Sequence, residues 1–281
     1  MGPDRLQLQR LELKFLINER KAAAVRDYLR SYLEVDEYGL DKPNLSYAIH
    51  SLYLDSDDLK TYWSTINGIK NRFKLRLRFY DDAPGSPVFF ELKRRMNEAI
   101  LKQRGGVRRE AVDWLLAGHL PEREHLLSSE DPRQLVALQR FSYLMLDLRA
   151  QPRAHVAYVR EAWVSTQDNS IRVTMDREVR CGVEFGSRLR TDLPDPVRPF
   201  GNQVILELKF TGRFPNWFRD LVEAMNLVRG AAAKYADGIT FKGERYFEGS
   251  PGANGRRHAL ELPAEYGMDN QCAGDVTCSA G

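Results

Sequence analysis

Residues 70–80 read KNRFKLRLRFY, the most regular alternation in the chain. From Arg72 to Phe79 basic and apolar residues alternate without a break. Because successive side chains of a β-strand point to opposite faces, the stretch predicts a strand with one cationic face and one apolar face. Each neighbouring pair of like charges costs roughly 0.6 kcal/mol in water but roughly 2.4 kcal/mol at an effective dielectric of about 20. Such a face is tolerable in open solvent, whereas in an enclosed space it requires a bound anion.

Six other stretches alternate in the same way, which is typical of an antiparallel sheet or barrel. Helical patterns lie between them: Asn18 can cap an amphipathic helix, residues 133–148 read as a buried helix, and Pro215 opens another. This irregular order of strands and helices favours the α+β class. The six stretches are residues 10–17, 46–55, 87–95, 154–165, 170–179 and 203–210.

The composition excludes several classes of protein. The chain has 281 residues, 42 of them Lys or Arg and 39 Asp or Glu, so a generic polyanion binder with a strongly basic surface is not indicated. Its three cysteines lack zinc-ligand spacing, and no apolar run reaches signal-peptide or membrane-span length. We therefore expect a cytoplasmic protein that inserts in no membrane and meets one only through a membrane-protein partner. We predict one domain over residues 1–248 and a disordered tail over 249–281.

Charged and apolar residues also segregate to opposite faces on the other predicted strands. If the apolar faces pack beneath helices, the charged faces must meet either water or one another. A closed sheet would then be an antiparallel β-barrel with a charged lumen and flanking helices, and this is the architecture we predict. The residues that share a strand face are Arg10, Glu12 and Lys14; Glu91 and Lys93; Tyr158 and Arg160; Arg172, Thr174 and Asp176; and Glu207 and Lys209.

Such a lumen suits a polyphosphate chain. Arginine and lysine side chains neutralise phosphoryl oxygens, and interleaved carboxylates become useful when Mg²⁺ or Mn²⁺ bridges them to the ligand. Nucleic acid is disfavoured, because the strand aromatics mostly fall on the apolar faces, where they could not stack on bases.

Eight ordered motifs between about residues 8 and 245 resemble one known family. They read RLELKF, SLYLDSDDLKTYW, KLRLRFY, FFELKRR, YVREAW, SIRVTMD, ILELKF and AAKYADGI. The pattern is similar to the polyphosphate polymerase domain of the vacuolar transporter chaperone family, which belongs to the triphosphate tunnel metalloenzymes. The resemblance implies transfer of the γ-phosphate of ATP to a polyphosphate chain, with Mn²⁺ or Mg²⁺ as cofactor. A triphosphatase that uses Glu12 or Glu91 to orient water, and a non-catalytic polyphosphate sensor, are the alternatives.

The resemblance also implies roles for individual residues. Lys102, Tyr158 and Lys234 would bind substrate, and Glu207 would ligate the metal. The charged strand faces add Arg10, Lys74 and Lys209 as substrate-binding candidates and Glu12, Glu91 and Asp176 as metal candidates. The residues expected to perform catalysis by binding the reacting phosphates are Lys14, Arg76, Arg78, Lys93, Arg160 and Arg172.

Some of these residues have a simpler interpretation. Glu12 and Glu91 would serve only as structural ion-pair partners of Lys14 and Lys93, and Asp176 as a strand-end residue. Lys102 and Lys234 would be ordinary surface lysines.

The sequence departs from the family pattern at Ala233, where a serine commonly precedes the lysine. The missing hydroxyl removes one hydrogen bond to phosphate, roughly 0.5–1.5 kcal/mol of binding. We also expect that removing Arg76 or Arg78 leaves the empty protein at least as stable, because it relieves repulsion.

Overall fold

The computed structural model describes residues 10–249 except 98, 129–130 and 166–169. Residues 250–281 lie outside the described part of the chain, so the predicted tail and domain boundary stay predictions. The strands are β1 (Arg10–Ile17), β2 (Glu34–Val35), β3 (Ser46–Asp55), β4 (Arg72–Phe79), β5 (Val88–Met96), β6 (Ala99–Val107), β7 (Gln151–Val164), β8 (Ile171–Val183) and β9 (Val204–Thr211). The helices are α1 (Glu19–Leu29), α2 (Lys60–Ile66), α3 (Val112–Leu116), α4 (Pro132–Leu148), α5 (Asn216–Ala224) and α6 (Lys234–Lys242).

All seven alternating stretches of the sequence are strands, which confirms the α+β class. Asn18 caps α1 as predicted, with its side chain accepting a hydrogen bond from the Lys21 N–H. Strand β6 was not predicted from the sequence, because Gly105 and Gly106 interrupt its alternation. Gly105 is needed there, since a Cβ atom would lie 3.0 Å from the Gln134 carbonyl oxygen of α4.

The strands form one antiparallel sheet in the order β1-β9-β8-β7-β3-β4-β5-β6, with β2 beside β7. The sheet curves until its two edge strands, β1 and β6, come within 8 Å of each other at their Cα atoms. Hydrogen bonds do not close it, so the closed barrel predicted from the sequence is not observed in the described residues. Side chains bring the two ends of the sheet together instead, with Lys93 Nζ of β5 lying 3.9 Å from Glu12 Oε2 of β1.

Two of the three hydrophobic clusters among the described residues lie on the convex, outer face of the sheet. Leu75, Leu77 and Phe79 of β4 are fully buried there beneath α4, as the alternation predicts. A second cluster lies where α1 and α5 cover β1, β8 and β9. The cationic half of the KNRFKLRLRFY strand therefore faces the concave side of the sheet.

The contact of Phe141 with Phe90 tests this arrangement. The two rings lie 5.0 Å apart at their centroids, edge to face, and Phe141 is fully buried in α4. We expect Phe141→Ala to lower the free energy of unfolding by about 3–5 kcal/mol in a urea titration, because it opens a cavity under the sheet. Val136→Ala, at a 55% exposed position of the same helix, should change it by less than about 0.5 kcal/mol. Equal effects of the two substitutions on the free energy of unfolding would mean that Phe141 does not pack between α4 and the sheet.

Candidate functional site

The concave side of the sheet, here called the inner face, collects the charged strand residues. Strand register places them there: Lys14 lies opposite Glu207 on β9, and Arg76 lies opposite Glu91 on β5. Two bulges shift the register, between Tyr53 and Leu54 and between Ala157 and Val159, but the predicted site residues still share one face of the sheet. Those on the inner face are Glu12, Lys14, Lys74, Arg76, Arg78, Glu91, Lys93, Lys102, Tyr158, Arg160, Arg172, Asp176, Glu207 and Lys209.

Glu91 is the centre of one cationic cluster. Its carboxylate is fully buried, with Arg76 Nη2 and Lys102 Nζ each 2.7 Å away and Arg104 Nε at 3.5 Å. Burial by itself raises the pKa of Glu91, but Arg76 and Arg78 outweigh it and hold that pKa well below the usual value. Glu91 therefore stays ionised, and removing Arg76 would leave a buried negative charge short of a partner. This ion pair argues against the expectation that removing Arg76 leaves the empty protein at least as stable, and that expectation stays a prediction.

Glu207 and Asp176 are the centre of a second cluster. Lys209 Nζ lies 2.5 Å and Lys234 Nζ 3.3 Å from the Glu207 carboxylate. Asp176 accepts two hydrogen bonds from the Arg160 guanidinium, at 2.7 and 2.8 Å, and lies 2.7 Å from Lys234 Nζ. Although burial opposes it, the charge of Arg160 lowers the pKa of Asp176 to about 2. Asp176 is thus an interior ion-pair residue and not an exposed strand-end residue.

Glu12 joins the two ends of the curved sheet. Lys14 Nζ is 3.1 Å from its carboxylate, and Lys93 Nζ approaches from β5. Burial would lower the pKa of Lys14, but Glu207 and Glu12 together raise it above the ordinary value. The pairing of Glu12 with Lys14 occurs as the simpler interpretation held, whereas Glu91 pairs with Arg76 and Lys102 and not with Lys93.

Three inner-face lysines have pKa values far below the ordinary value for lysine. Burial is the main cause for each, and it lowers the pKa of Lys74 to about 7, of Lys102 to about 7 and of Lys209 to about 8. The positive charge of Lys93 lowers the pKa of Lys74 further, and no described carboxylate lies within 4 Å of the Lys74 amine. Its Nζ stands 5.5 Å from the centre of the Tyr235 ring. These amines are partly neutral near pH 7, so the empty inner face carries less charge than its residue count suggests.

Helix α6 brings Lys234 into the site. The helix begins at Lys234, and the N–H of Ala233 donates to Asp237 Oδ2 at 2.6 Å. Lys234 is only 10% exposed, and its Nζ lies 4.9 Å from the centre of the Tyr158 ring. The interpretation of Lys234 as an ordinary surface lysine is therefore wrong.

Two predicted residues lie at the end of the inner face where β1 and β8 begin. Arg172 pairs with the Asp36 carboxylate and donates to the Tyr47 hydroxyl at 3.4 Å. Arg10 lies opposite Thr211 in register, but its side chain is outside the described structure. Arg172 is thus held beside the inner-face cations without joining either carboxylate cluster.

Ser51 belongs to the site and was missed from the sequence. It lies opposite Arg78 in register, is fully buried, and its hydroxyl has no hydrogen-bond partner among the described residues. Arg78 Nε is likewise unpaired by hydrogen bonds, while Arg78 Nη2 donates to the Tyr158 hydroxyl at 3.1 Å. Its even spacing from Tyr47 and Tyr53 could have placed Ser51 on the same strand face as those two residues. Such buried, unpartnered donors suit a ligand with many acceptor oxygens.

Aromatic residues also line the inner face, contrary to the expectation from the sequence. Tyr47, Tyr80 and Phe89 share the parity of the charged residues, as strand register shows. At the other end, the rings of Tyr53 and Tyr235 stack 4.6 Å apart, which fixes α6 against the sheet. These rings are exceptions to the expectation that the strand aromatics mostly fall on the apolar faces.

The predicted metal ligands do not form a site made by protein alone. No three His, Cys, Asp or Glu side chains are grouped to hold a metal anywhere in the described ranges. Glu12, Glu91, Asp176 and Glu207 each have a cationic partner within 3.1 Å. Mg²⁺ is nonetheless commonly held by one or two carboxylates together with substrate phosphates. Glu207 fits that arrangement, because its carboxylate lies among the cations that would receive the phosphates.

The model of the VTC domain family matches residues 9–241. The chain belongs to the VTC domain family. This confirms the resemblance read from the eight motifs, and membership together with the cationic inner face supports phosphoryl chemistry on triphosphate groups. No curated protein matches the chain in sequence. Across the described part, no helix combines the length and apolarity that crossing a membrane demands.

Three solved structures are distantly similar. The PH1819 protein of Pyrococcus horikoshii OT3 is 12% identical over 83% of this chain and 99% of its own, with a TM-score of 0.42. HpAC1 of Hippeastrum, described as an adenylyl cyclase with a dominant triphosphatase activity, is 14% identical over 83% and 96%, with a TM-score of 0.47. A protein of Vibrio parahaemolyticus described as an adenylate cyclase is 9% identical over 82% and 97%, with a TM-score of 0.40. These likenesses are too distant to assign an activity to this chain.

Lys74 predicts a pH-dependent stability. A lysine in the unfolded chain titrates near 10.4, whereas folded Lys74 titrates at about 7. Below pH 7 the amine is charged in both the folded and the unfolded state, and burying that charge lowers the free energy of unfolding by its full amount. Above about pH 10 the amine is neutral in both states, so this destabilisation is absent. We expect Lys74→Met to stabilise the protein by on the order of 2 kcal/mol at pH 6, and the gain to vanish by about pH 10.

Urea titrations across this pH range measure the difference. Lys60→Met, at an exposed position of α2, controls for loss of a lysine. A gain that does not change with pH would mean that Lys74 is charged like a solvated lysine.

Proposed function

We propose that the chain synthesises polyphosphate by transferring the γ-phosphate of ATP to the end of a polyphosphate chain, with release of ADP. One observation carries this proposal: the inner-face carboxylates are all ion-paired and are surrounded by more cations than they can neutralise. A polyanion with many oxygens is the ligand that completes such a surface. Family membership supports the same substrate class.

The proposed reaction needs charge neutralisation and positioning more than proton transfer. The terminal oxygen of a polyphosphate chain attacks the γ-phosphorus, the bond from that phosphorus to the β–γ bridging oxygen breaks, and ADP leaves. The attacking oxygen is already ionised, so no general base is required. Arg76, Arg78 and Arg160 would bind the phosphoryl oxygens along the path, and Ser51 and Tyr158 would donate hydroxyl hydrogen bonds.

The carboxylates favour this reaction over hydrolysis. A triphosphatase must orient and deprotonate water, and the pKa values of Glu12, Glu91 and Glu207 are all lowered despite burial, by neighbouring lysines and arginines. A carboxylate with a lowered pKa is a weak base. The partly neutral Lys74, Lys102 and Lys209 would not replace it, because a bound polyphosphate raises their pKa and protonates them.

A divalent metal completes the proposal. Glu207 would hold Mg²⁺ or Mn²⁺ together with phosphate oxygens, and the bound ion would neutralise charge on the transferring phosphoryl group. The cations around Glu207 keep its carboxylate ionised and available for this role.

Product analysis tests the proposed function. Purified protein is incubated with ATP and Mn²⁺, and ADP, free phosphate and polyphosphate chain length are measured. ADP with lengthening polyphosphate supports synthesis. ADP with an equal amount of free phosphate would identify a triphosphatase, and binding of polyphosphate without release of ADP would identify a sensor.

Glu207→Gln tests the metal ligand. We expect turnover of ATP to fall by at least about a hundredfold, because the amide keeps the shape but loses the anionic oxygens that hold a hard cation. Polyphosphate binding should remain or tighten, since the inner face loses a negative charge. The same change at the exposed position Glu223 of α5 should alter neither quantity. Full turnover by Glu207→Gln would leave Asp176, Glu12 or Glu91 as the ligand.

A further inference from the structure

Four aromatic side chains form a row at one end of the inner face. Tyr47 is the second residue of β3, Tyr80 directly follows β4, and Phe89 is the second residue of β5, so antiparallel pairing brings them to the same end. Ring centroids lie 5.9 Å apart for Tyr38 and Tyr47, 6.4 Å for Tyr47 and Tyr80, and 6.1 Å for Tyr80 and Phe89. We call Tyr38, Tyr47, Tyr80 and Phe89 the aromatic rim.

Two arginines hold the rim in place. The Arg104 guanidinium lies 3.5 Å from the centre of the Phe89 ring and donates to the Tyr80 hydroxyl at 3.3 Å. Arg172, on the other side, contacts the Tyr47 hydroxyl and pairs with Asp36.

The same Asp36 carboxylate accepts a hydrogen bond from the Tyr38 N–H at 3.0 Å. Tyr38 is 64% exposed, although its backbone is fixed in this way. The rim is therefore an ordered surface whose outermost ring faces solvent, and it is not simply part of the core.

The rim lies directly beside the phosphate-binding cations proposed above. Tyr80 follows Arg78 by two residues on the same strand face, a distance of about 7 Å, and Phe89 lies opposite Arg78 in register. Tyr47 lies opposite Arg160. A ligand that bridges the rim and the cations needs a planar apolar group joined to a phosphate chain by a short spacer.

We infer that the aromatic rim binds the base of a nucleoside triphosphate whose phosphates lie on the inner-face cations. This inference rests on the proposed function and adds to it how a nucleotide is distinguished from an inorganic polyphosphate. A polyphosphate chain has no apolar part, so it gains nothing from exposed rings, whereas every base has a flat π-face that stacks on them. The ribose supplies the spacer. Because stacking reads no hydrogen-bond pattern, the rim should accept different bases and favour purines, which stack over a larger area.

Calorimetric titrations with ATP and with inorganic tripolyphosphate, both without divalent metal so that no turnover occurs, test this inference. We expect Tyr38→Ala and Tyr80→Ala each to raise the Kd for ATP by roughly tenfold, and the Kd for tripolyphosphate by less than about twofold. Tyr80→Phe keeps the ring and should bind ATP like the wild type. Trp114→Ala, which removes a 52% exposed ring stacked on His119 of the outer surface, controls for loss of an exposed aromatic. Thermal melts establish that each variant is folded.

The outcomes separate the rim from the phosphate site. Equal changes for ATP and tripolyphosphate, or none for either, would overturn base stacking and leave the proposed phosphate site intact. Failure of the wild type to bind either ligand would overturn the proposed function and, with it, the rim as a nucleotide site. Loss of ATP affinity in Tyr80→Phe equal to that in Tyr80→Ala would assign the effect to the hydroxyl and its contact with Arg104, and would also overturn stacking.

Discussion

Repulsion among cations on one face of a sheet is the constraint on which the structure depends. The alternation from Arg72 to Phe79 cannot bury its apolar half without turning its basic half toward the concave side. Curvature of the sheet then brings these cations close to those of the opposite strands. Two features reduce the repulsion among these cations. Buried carboxylates such as Glu91 and Glu207 neutralise part of the positive charge, and lysines such as Lys74 are partly deprotonated.

The same two features, the buried carboxylates and the partly deprotonated lysines, also favour binding of a polyanion to the inner face. A carboxylate that is held ionised by arginine and lysine keeps those cations oriented while no ligand is bound, and a phosphate chain can share them without a change of fold. A lysine with a pKa near 7 is partly neutral in the empty protein and regains its proton when phosphates approach. The surface is therefore stable without ligand and strongly attractive to one. Part of the binding charge, that of lysines such as Lys74, appears only on binding.

Much of this followed from the sequence, because a two-residue period fixes the face of every side chain once the strand is known. The KNRFKLRLRFY, FFELKRR and ILELKF stretches placed Arg76, Glu91 and Glu207 together on one face, as strand register confirms. Which cation pairs with which carboxylate did not follow, since Arg76 reaches Glu91 only through a register that no local pattern encodes. The absence of hydrogen bonds between β1 and β6 could not be predicted from the sequence either, because closure of a sheet depends on curvature summed over all the strands.

The aromatic residues were misjudged for a different reason. Tyr80 continues the basic parity of its strand by one more position, whereas Phe73 and Phe79 of the same stretch lie on the apolar face. Tyr38 lies outside the main strands and reaches the site only through Asp36 and Arg172. The contact between Asp36 and Arg172 joins residues more than a hundred positions apart, so the spacing of neighbouring residues does not predict it.

The most direct test of the central claim is the number of protons taken up when tripolyphosphate binds. Titration calorimetry at pH 8, repeated in buffers with different enthalpies of ionisation, measures that number. Because Lys74, Lys102 and Lys209 have pKa values of about 7, 7 and 8, they are largely or partly neutral in the free protein at this pH, and binding should draw protons from the buffer. We expect net proton uptake by the wild type and a smaller uptake by Lys74→Met. Tight binding with no proton uptake would contradict this expectation, because the inner face would then be fully charged before the ligand arrives.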